Sequence, residues 1–202
     1  MIADDERNPA SKADVRREQI LAAAETCVLE EGFHRASISK ICKLAGMSPG
    51  HVYHYFKNKE AIIAALVRRD LDHMLDLTAG MRASVDVLEA MIDRIPLGVA
   101  EKLDPRDASL KLEIAAEASR NPNIARIVRE ADACSLKSLR QTIAEARCAR
   151  GLPDDDDTVA EIAVVAAAMF DGLVIRGVRD PDTDRDAVAR RFAGILRELF
   201  LS

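Results

Sequence analysis

Residues 37–59 of the chain read SISKICKLAGMSPGHVYHYFKNK, and this stretch decides the fold. Ser37 stands at an N-cap position, and the residues after it place an apolar side chain at every third or fourth position, as a helix requires. Gly46 permits the left-handed backbone of a tight turn. Ser48 then supplies a second N-cap, and Pro49 occupies the first helical position. The spacing predicts two short helices joined by a tight turn, which is the helix-turn-helix pattern.

The sequence on both sides of this stretch is helical as well. An amphipathic helix is predicted from about residue 11 to 31, with Gly32 at its C-terminal end, and Asn58 caps a long fourth helix. Longer helices follow beyond residue 80, where we expect Pro96 to kink or end one of them. The chain has 9 Gly, 7 Pro, no Trp and only 3 % aromatic residues, which argues against a β-sandwich or barrel. We predict an all-α protein of about nine helices.

Helix length divides the chain into two domains. Short helices and tight turns occupy the N-terminal part, so we predict a three-helix domain over residues 1–57, ordered from about residue 11. Residues 58–202 carry the long helices, and we predict that they form a second, larger domain. The fourth helix bridges the two domains.

The net charge of −5 argues at first against a partner that is a nucleic acid, but the charges are segregated. Residues 35–59 contain five Lys and Arg and no Asp or Glu, whereas residues 61–202 contain 20 basic and 25 acidic residues. The one basic segment therefore coincides with the helix-turn-helix pattern. This coincidence predicts that the short helices bind DNA, with the N-terminal residues of the third helix entering the major groove.

The candidate DNA contacts follow from that placement. Pro49 and Gly50 are small enough for close approach to base edges, and His51 and Tyr55 carry groups that can read them. Tyr53, His54 and Lys59 are suited to backbone phosphates, which position a protein without reading sequence. The full predicted DNA-binding set is Ser37, Ser39, Lys40, Pro49, Gly50, His51, Tyr53, His54, Tyr55, Lys57 and Lys59.

Several separated blocks between residues 16 and 67 resemble the DNA-binding domain of TetR-family repressors. These blocks are Ile20–Ala24, Glu31–Phe33, Ser37–Ile41, Ala45–Gly50 and Tyr53–Glu60. The resemblance implies an all-α homodimer that binds an operator palindrome and a C-terminal domain that binds an inducer. It also implies phosphate contacts from Ser37, Ser39, Tyr53 and Lys59. His51 stands where the family commonly has Thr or Ser.

The C-terminal half is similar to the branch of the family that includes choline-responsive repressors. Arg120–Pro122, Arg129–Asp132 and Asp171–Leu173 carry this likeness. A cage for a quaternary ammonium ion needs several aromatic rings, and beyond residue 56 the chain offers Phe170, Phe192 and Phe200. We therefore expect an aliphatic pocket and do not transfer the ligand. The candidate pocket residues are Leu66, Met74, Leu88, Met91, Ile95, Leu112, Glu113 and Phe170.

The predicted helix from Thr158 to Ile175 and the last predicted helix carry more apolar surface than one core needs. This is typical of helices that are buried on two sides. The family resemblance favours a dimer interface over a thicker monomer core. The candidate interface residues are Ala166, Met169, Leu173, Phe192, Ile195 and Leu199.

The leading hypothesis is a cytoplasmic repressor that an unknown small-molecule inducer releases from a palindromic double-stranded DNA operator. One alternative is an architectural DNA-binding protein without a ligand, and another is a helical enzyme or carrier that uses the C-terminal cavity. No catalytic constellation, metal cluster or phosphate loop supports an enzyme, and we expect no cofactor. The cysteines lack metal-binding spacing, and we expect no membrane association.

Overall fold

A computed structural model describes residues 12–202 of the chain. Over these residues it consists of nine helices and no strand, which confirms the all-α prediction. The helices are α1 (Lys12–Arg35), α2 (Ile38–Ala45), α3 (Pro49–Tyr55), α4 (Lys59–Arg82), α5 (Val87–Lys102), α6 (Pro105–Ala118), α7 (Pro122–Cys148), α8 (Asp156–Arg179) and α9 (Arg185–Leu201). The predicted N-terminal domain includes residues 1–11, which lie outside the described residues.

Side chains at the helix N-termini satisfy backbone N–H groups that would otherwise lack an acceptor. The predicted caps Ser37 and Ser48 are present, and the predicted cap Asn58 accepts a hydrogen bond from the N–H of Ala61 at 2.8 Å. In the same way, Asp104 caps α6 and Asn121 caps α7. Local sequence therefore sets where these helices begin.

The chain divides into two compact units, of which the first ends at Ala65 and the second begins at Leu66. The division lies inside α4, C-terminal to the boundary that we expected between residues 57 and 58. The first residues of α4 belong to the N-terminal unit because Lys59 donates a hydrogen bond to the carbonyl of Phe33, at the end of α1. Ile62 and Ile63 are also fully buried.

In the N-terminal unit, α1 packs against α2, and α2 packs against α3. The backbone of α1 is interrupted at Gly32, which has a φ of 76°. Gly46 ends α2 with a φ of 65°, and its N–H is bonded to the carbonyls of Cys42 and Lys43. Residues with a side chain rarely adopt this conformation, so glycine at position 46 allows a connection of only three residues, 46–48, between α2 and α3.

In the C-terminal unit, a core of aliphatic residues joins α5, α7, α8 and α9. α8 crosses the end of α5 so closely that a Cβ atom at Gly177 would lie 2.9 Å from the carbonyl oxygen of Leu103. Arg147 is buried and donates to the carbonyl oxygens of Phe200 and Ser202, which holds the C-terminal end of α9.

We expected Pro96 to kink or end a helix. α5 begins at Val87 and continues through Pro96 to Lys102, so the proline does not end the helix.

By length and composition alone, α8 could cross a membrane, because an 18-residue stretch of it has a mean hydropathy of 2.0. A single helix of this kind is a weak indication of a membrane span, since core helices of soluble proteins pass the same test. One third of the stretch is buried inside the chain. The remainder leaves apolar residues of α8 in contact with solvent.

Candidate functional sites

The N-terminal end of α3 is exposed, as the prediction of a DNA-reading helix requires. Ser48 caps the helix by accepting a hydrogen bond from the N–H of His51 at 3.3 Å. Pro49, Gly50 and His51 are all exposed, whereas Val52 on the opposite side is fully buried. The sequence of α3 thus anchors one face and presents the other to a partner.

Aromatic rings make up much of the exposed face of α3. Tyr55 is half-buried, and its ring lies 5.6 Å from that of His51 and 5.1 Å from that of His54, measured between centroids. Tyr53 is 53 % exposed. These rings carry hydrogen-bonding groups, so the surface can bind phosphates and base edges without a large apolar patch.

The lysines of the basic segment are not equivalent in the folded protein. Lys40 forms an ion pair with Glu31. Lys59 is half-buried, and its Nζ donates to the carbonyl of Phe33 at 2.6 Å and lies 4.2 Å above the Phe33 ring. Lys43 and Lys57 are exposed. Lys59, which we predicted as a phosphate contact, thus has an internal structural role, and Lys43, which was absent from the predicted set, lies on the exposed surface.

The start of α2 supplies the two remaining predicted contacts. The Ser37 side chain accepts the N–H of Lys40 at 3.3 Å as the helix cap. Ser37 and Ser39 are both exposed. Their hydroxyl groups are therefore available to a phosphate, Ser37 while it also caps the helix.

Two contacts that the sequence did not reveal hold this surface on α1. Gln19 donates from Nε2 to the carbonyl of Ala45 at 2.9 Å, which fixes the end of α2. Arg17 places its guanidinium 4.9 Å from the centre of the Phe56 ring, directly after α3. Both residues looked like ordinary polar positions on the exposed side of a helix, so no sequence signal distinguished them.

In the C-terminal unit, half of the predicted pocket residues belong to the packed core. Leu66, Leu88, Met91 and Ile95 are each 5 % exposed or less. Met74, Leu112, Glu113 and Phe170 are half-buried. Apolar periodicity identified core residues here because core and pocket walls share the same composition.

An open groove of about 400 Å³ lies elsewhere in this unit, along the C-terminal part of α4 and the first half of α5. None of the predicted pocket residues lines this groove. The lining residues are His73, Asp76, Leu77, Gly80, Met81, Ser84, Ala90 and Arg94.

A cluster of charged residues also joins α4, α5, α6 and α8. Burial, together with the charge of Lys111, lowers the pKa of Lys102 to about 8. Burial acts in the same sense on Lys111, but Asp70, 3.2 Å away, together with Lys102 and Asp107, outweighs it and raises the pKa of that lysine. Burial raises the pKa of Asp171 against the effect of Lys102. The cluster thus keeps a positive charge at a position that is partly shielded from water.

The predicted interface residues differ in their exposure. Ala166 and Leu173 are buried in the core of their own chain, so they are unavailable to a second copy. Met169, Phe192 and Leu199 are half-buried, and Ile195 is 51 % exposed. The exposed apolar face of α8 instead consists of Val164, Val165, Ala168, Gly172 and Ile175.

Both units match known protein families. Residues 20–66 match the family described as bacterial regulatory proteins, tetR family. Residues 84–200, more than half of the chain, match the family described as BetI-type transcriptional repressor, C-terminal. The chain belongs to the TetR family of transcriptional regulators. The resemblance seen in the sequence is confirmed, and this regulator belongs to a class of DNA-binding proteins rather than enzymes.

Individual relatives agree with this assignment. The regulator is 34 % identical to the HTH-type transcriptional regulator UidR of Escherichia coli strain K12 over 138 residues, which are 68 % of this chain and 65 % of UidR. The match therefore spans slightly less than two thirds of that relative. The solved structure of Salmonella enterica GusR has a TM-score of 0.78 and 29 % identity, and the match covers 96 % of this chain and 97 % of GusR.

A more distant structure shares the fold. FadR of Bacillus subtilis in complex with stearoyl-CoA has a TM-score of 0.75 at 22 % identity, with 89 % of this chain and 96 % of FadR covered.

The different environments of Lys57 and Lys59 generate the first prediction. Replacing exposed Lys57 with alanine should weaken binding to specific and random duplexes equally. It should also reduce the slope of log K against log salt by about 0.9, because one phosphate contact is lost. Fluorescence-anisotropy titrations at several salt concentrations measure both effects. A Lys57→Ala variant with an unchanged salt slope would show that Lys57 does not contact DNA.

The matched variant Lys59→Ala should also destabilise the N-terminal unit by about 2 kcal/mol, since a charged hydrogen bond to a carbonyl is lost. Both tyrosines of this Trp-free chain lie in α3, so tyrosine fluorescence during urea unfolding reports on this unit. Equal unfolding midpoints for Lys59→Ala and the wild type would contradict the structural role.

The lowered pKa of Lys102 generates a prediction about pH. Between pH 8 and 10.5 the unfolded chain retains the proton that the folded protein has released, so the free energy of unfolding should rise with pH in this interval. Lys111 has a raised pKa and releases its proton above the interval. In Lys102→Met the rise should be smaller than in the wild type, as measured by calorimetry at several pH values. The exposed Lys137→Met variant serves as the control, and identical pH profiles for all three proteins would refute the prediction.

Proposed function

We propose that this regulator is a cytoplasmic homodimeric repressor that a small-molecule inducer releases from a palindromic operator. The observation that carries the proposal is the exposed N-terminal end of α3 within a segment free of acidic residues. Major-groove recognition by a helix-turn-helix unit requires this combination of exposed polar groups and favourable potential. Pro49, Gly50, His51 and Tyr55 are the proposed base contacts. The proposed phosphate contacts are Ser37, Ser39, Lys40, Tyr53, His54 and Lys57, together with Lys59 through the ammonium donor that the carbonyls of Phe33 and His34 do not use.

Selection from a pool of random duplexes tests this function directly. A repressor should enrich a palindrome and bind it about 10³-fold or more tightly than random DNA. An architectural DNA-binding protein would enrich no sequence and would bind all duplexes with similar affinity. That result would overturn the proposal in favour of the alternative.

The selected operator then allows a test of His51. Replacing His51 with alanine should remove about 1–3 kcal/mol of discrimination at one base pair in each half-site. Affinity for random DNA should change little, because phosphate contacts remain. Binding to operators substituted at each position provides the measurement, with Lys57→Ala as the contrasting variant that weakens all duplexes alike. A His51→Ala variant with the wild-type sequence profile would exclude His51 as a reading residue.

Exposed apolar residues on α8 and α9 support the dimer. Val164, Val165 and Ile175 are 44–49 % exposed, and Ile195 on α9 is 51 % exposed. A two-fold dimer would place this face against its own copy and remove it from water. We propose that the interface is formed by the exposed α8 residues together with Met169, Phe192, Ile195 and Leu199, and that Ala166 and Leu173 pack behind it.

Introducing a charge tests the interface. Ile195→Glu should weaken dimerisation by about 2 kcal/mol or more, because each copy would bury an unpaired carboxylate or leave a gap. Sedimentation equilibrium should detect the increased fraction of monomer. The control is Val85→Glu, since Val85 is fully exposed between α4 and α5 and lies outside the proposed face. If both variants keep the wild-type association constant, the interface lies elsewhere.

Relatives support the ligand-responsive part of the proposal. The distant structure of FadR contains stearoyl-CoA, which shows that this fold can hold a small ligand. The inducer of the present chain would act through α4, the helix that contributes residues to both units. Because the two binding equilibria are linked, operator binding should weaken inducer binding by the same factor as inducer weakens operator binding.

A further inference from the structure

We propose that the groove between α4 and α5 binds a small molecule with a carboxylate group, which Arg94 recognises, and an apolar body. This inference rests on the proposed function only in taking the ligand to be an inducer. The groove volume of about 400 Å³ is within the range of small-molecule sites. Its shape is formed by α4 and α5 within the C-terminal unit.

Arg94 provides the reason to expect an anionic group. Its side chain is only 17 % exposed, and Nη2 donates to Oε1 of Glu101 at 2.8 Å. Within residues 12–202, the Nε and Nη1 atoms of Arg94 are buried without a hydrogen-bond partner. A buried guanidinium with unused donors is unfavourable unless an acceptor satisfies it. One carboxylate can accept from either of these donors together with Nη2, in the planar fork that a guanidinium offers along one edge.

Neighbouring groups favour an exchange of partners when the ligand binds. His73 on α4 lies 3.9 Å from the same Glu101 oxygen that Arg94 contacts. An incoming carboxylate would compete with Glu101 for Arg94, and Glu101 could then pair with His73. Because the Nε and Nη1 atoms of Arg94 are buried, part of the groove wall must move before a carboxylate can reach them. Met81 lies in that wall, and its unbranched side chain adapts readily.

The other residues that line the groove indicate the chemistry of the rest of the ligand. Leu77, Met81 and Ala90 provide apolar surface, whereas Asp76 and Ser84 provide polar groups. Asp76 is exposed, so its carboxylate remains solvated. The site therefore favours a monocarboxylate whose apolar part packs against the aliphatic side chains, with room for a hydroxyl group beside Asp76 or Ser84.

The test uses sodium hexanoate as the probe and full-length protein without DNA, so that it does not depend on operator binding. The ¹⁵N resonance of the Arg94 Nε–H group, assigned by its loss in Arg94→Lys, should shift and saturate as hexanoate is added. Acetate should bind more weakly, because each CH₂ that packs against the wall can contribute up to about fourfold in affinity. Hexanamide, which is isosteric and uncharged, should leave the resonance in place.

Variants separate recognition from general stability. Arg94→Gln should weaken hexanoate binding at least about tenfold in calorimetry, since a charged hydrogen bond is removed. The control Arg126→Gln alters an exposed ion pair with Glu130 and should bind like the wild type. If Arg94→Gln is unfolded by far-UV circular dichroism, Arg94→Lys replaces it in calorimetry and should also bind at least about tenfold more weakly, because lysine cannot reproduce the planar fork.

Three results would overturn the proposal: no shift of the Arg94 resonance with hexanoate, equal binding of hexanamide, or wild-type affinity in the folded Arg94 variant. A failure of operator selection would instead count against the proposed function and leave these binding data unaffected.

Discussion

The tight turn at Gly46 is the constraint on which the DNA-binding surface depends. Its left-handed backbone lets α3 begin at Pro49, so Val52 and Phe56 can be buried while Gly50 and His51 remain in solvent. A side chain at position 46 would meet no neighbouring atom but would strain the backbone. The backbone conformation, and not a lack of space, therefore disfavours a side chain at position 46. A longer connection would leave the orientation of α3 less defined, and the exposed face would lose its fixed relation to the buried one.

Lys59 shows how the N-terminal unit uses charge for two purposes. Its ammonium satisfies carbonyls at the end of α1, where a cation also interacts favourably with the helix dipole. Lys43 and Lys57 remain exposed on the same acid-free segment. The net charge of the whole chain conceals this arrangement, because acidic residues predominate from residue 61 onwards. That acidic excess should be repelled by DNA and should favour encounters through the basic segment.

Local signals in the sequence predicted the helices well, and interactions between distant segments explain most of the errors. Ser37, Ser48 and Asn58 were recognised as caps because a cap depends on residues within one turn. The exposed face of α8 could not be predicted, since this helix is apolar nearly all round and periodicity does not distinguish Ala166 from Val165. The role of Lys59 was missed for a related reason, because its partner Phe33 lies 26 residues away.

The groove between α4 and α5 could not be predicted from apolar periodicity, because its distinguishing features are polar. His73 and Arg94 became informative only when the fold brought them to the same carboxylate, that of Glu101. Neither their spacing in the sequence nor their residue type predicts a buried guanidinium with unused donors. Sites of this kind depend on what remains unsatisfied after folding, which requires the positions of all neighbouring groups.

The way in which α4 is held in the C-terminal unit suits a ligand-controlled helix. Among residues 66–82, Leu66 and Thr78 are the buried ones, so apolar packing holds this part of α4 weakly. Polar contacts to α7 add specific attachment points: the Thr78 and Ser138 hydroxyls are 2.7 Å apart, and Arg82 donates to Thr142 at 2.8 Å. Each neutral hydrogen bond contributes only about 1 kcal/mol. Because hydrogen-bonding groups can exchange partners, a ligand that adds or removes one such contact could shift α4 between discrete positions without rebuilding the aliphatic core.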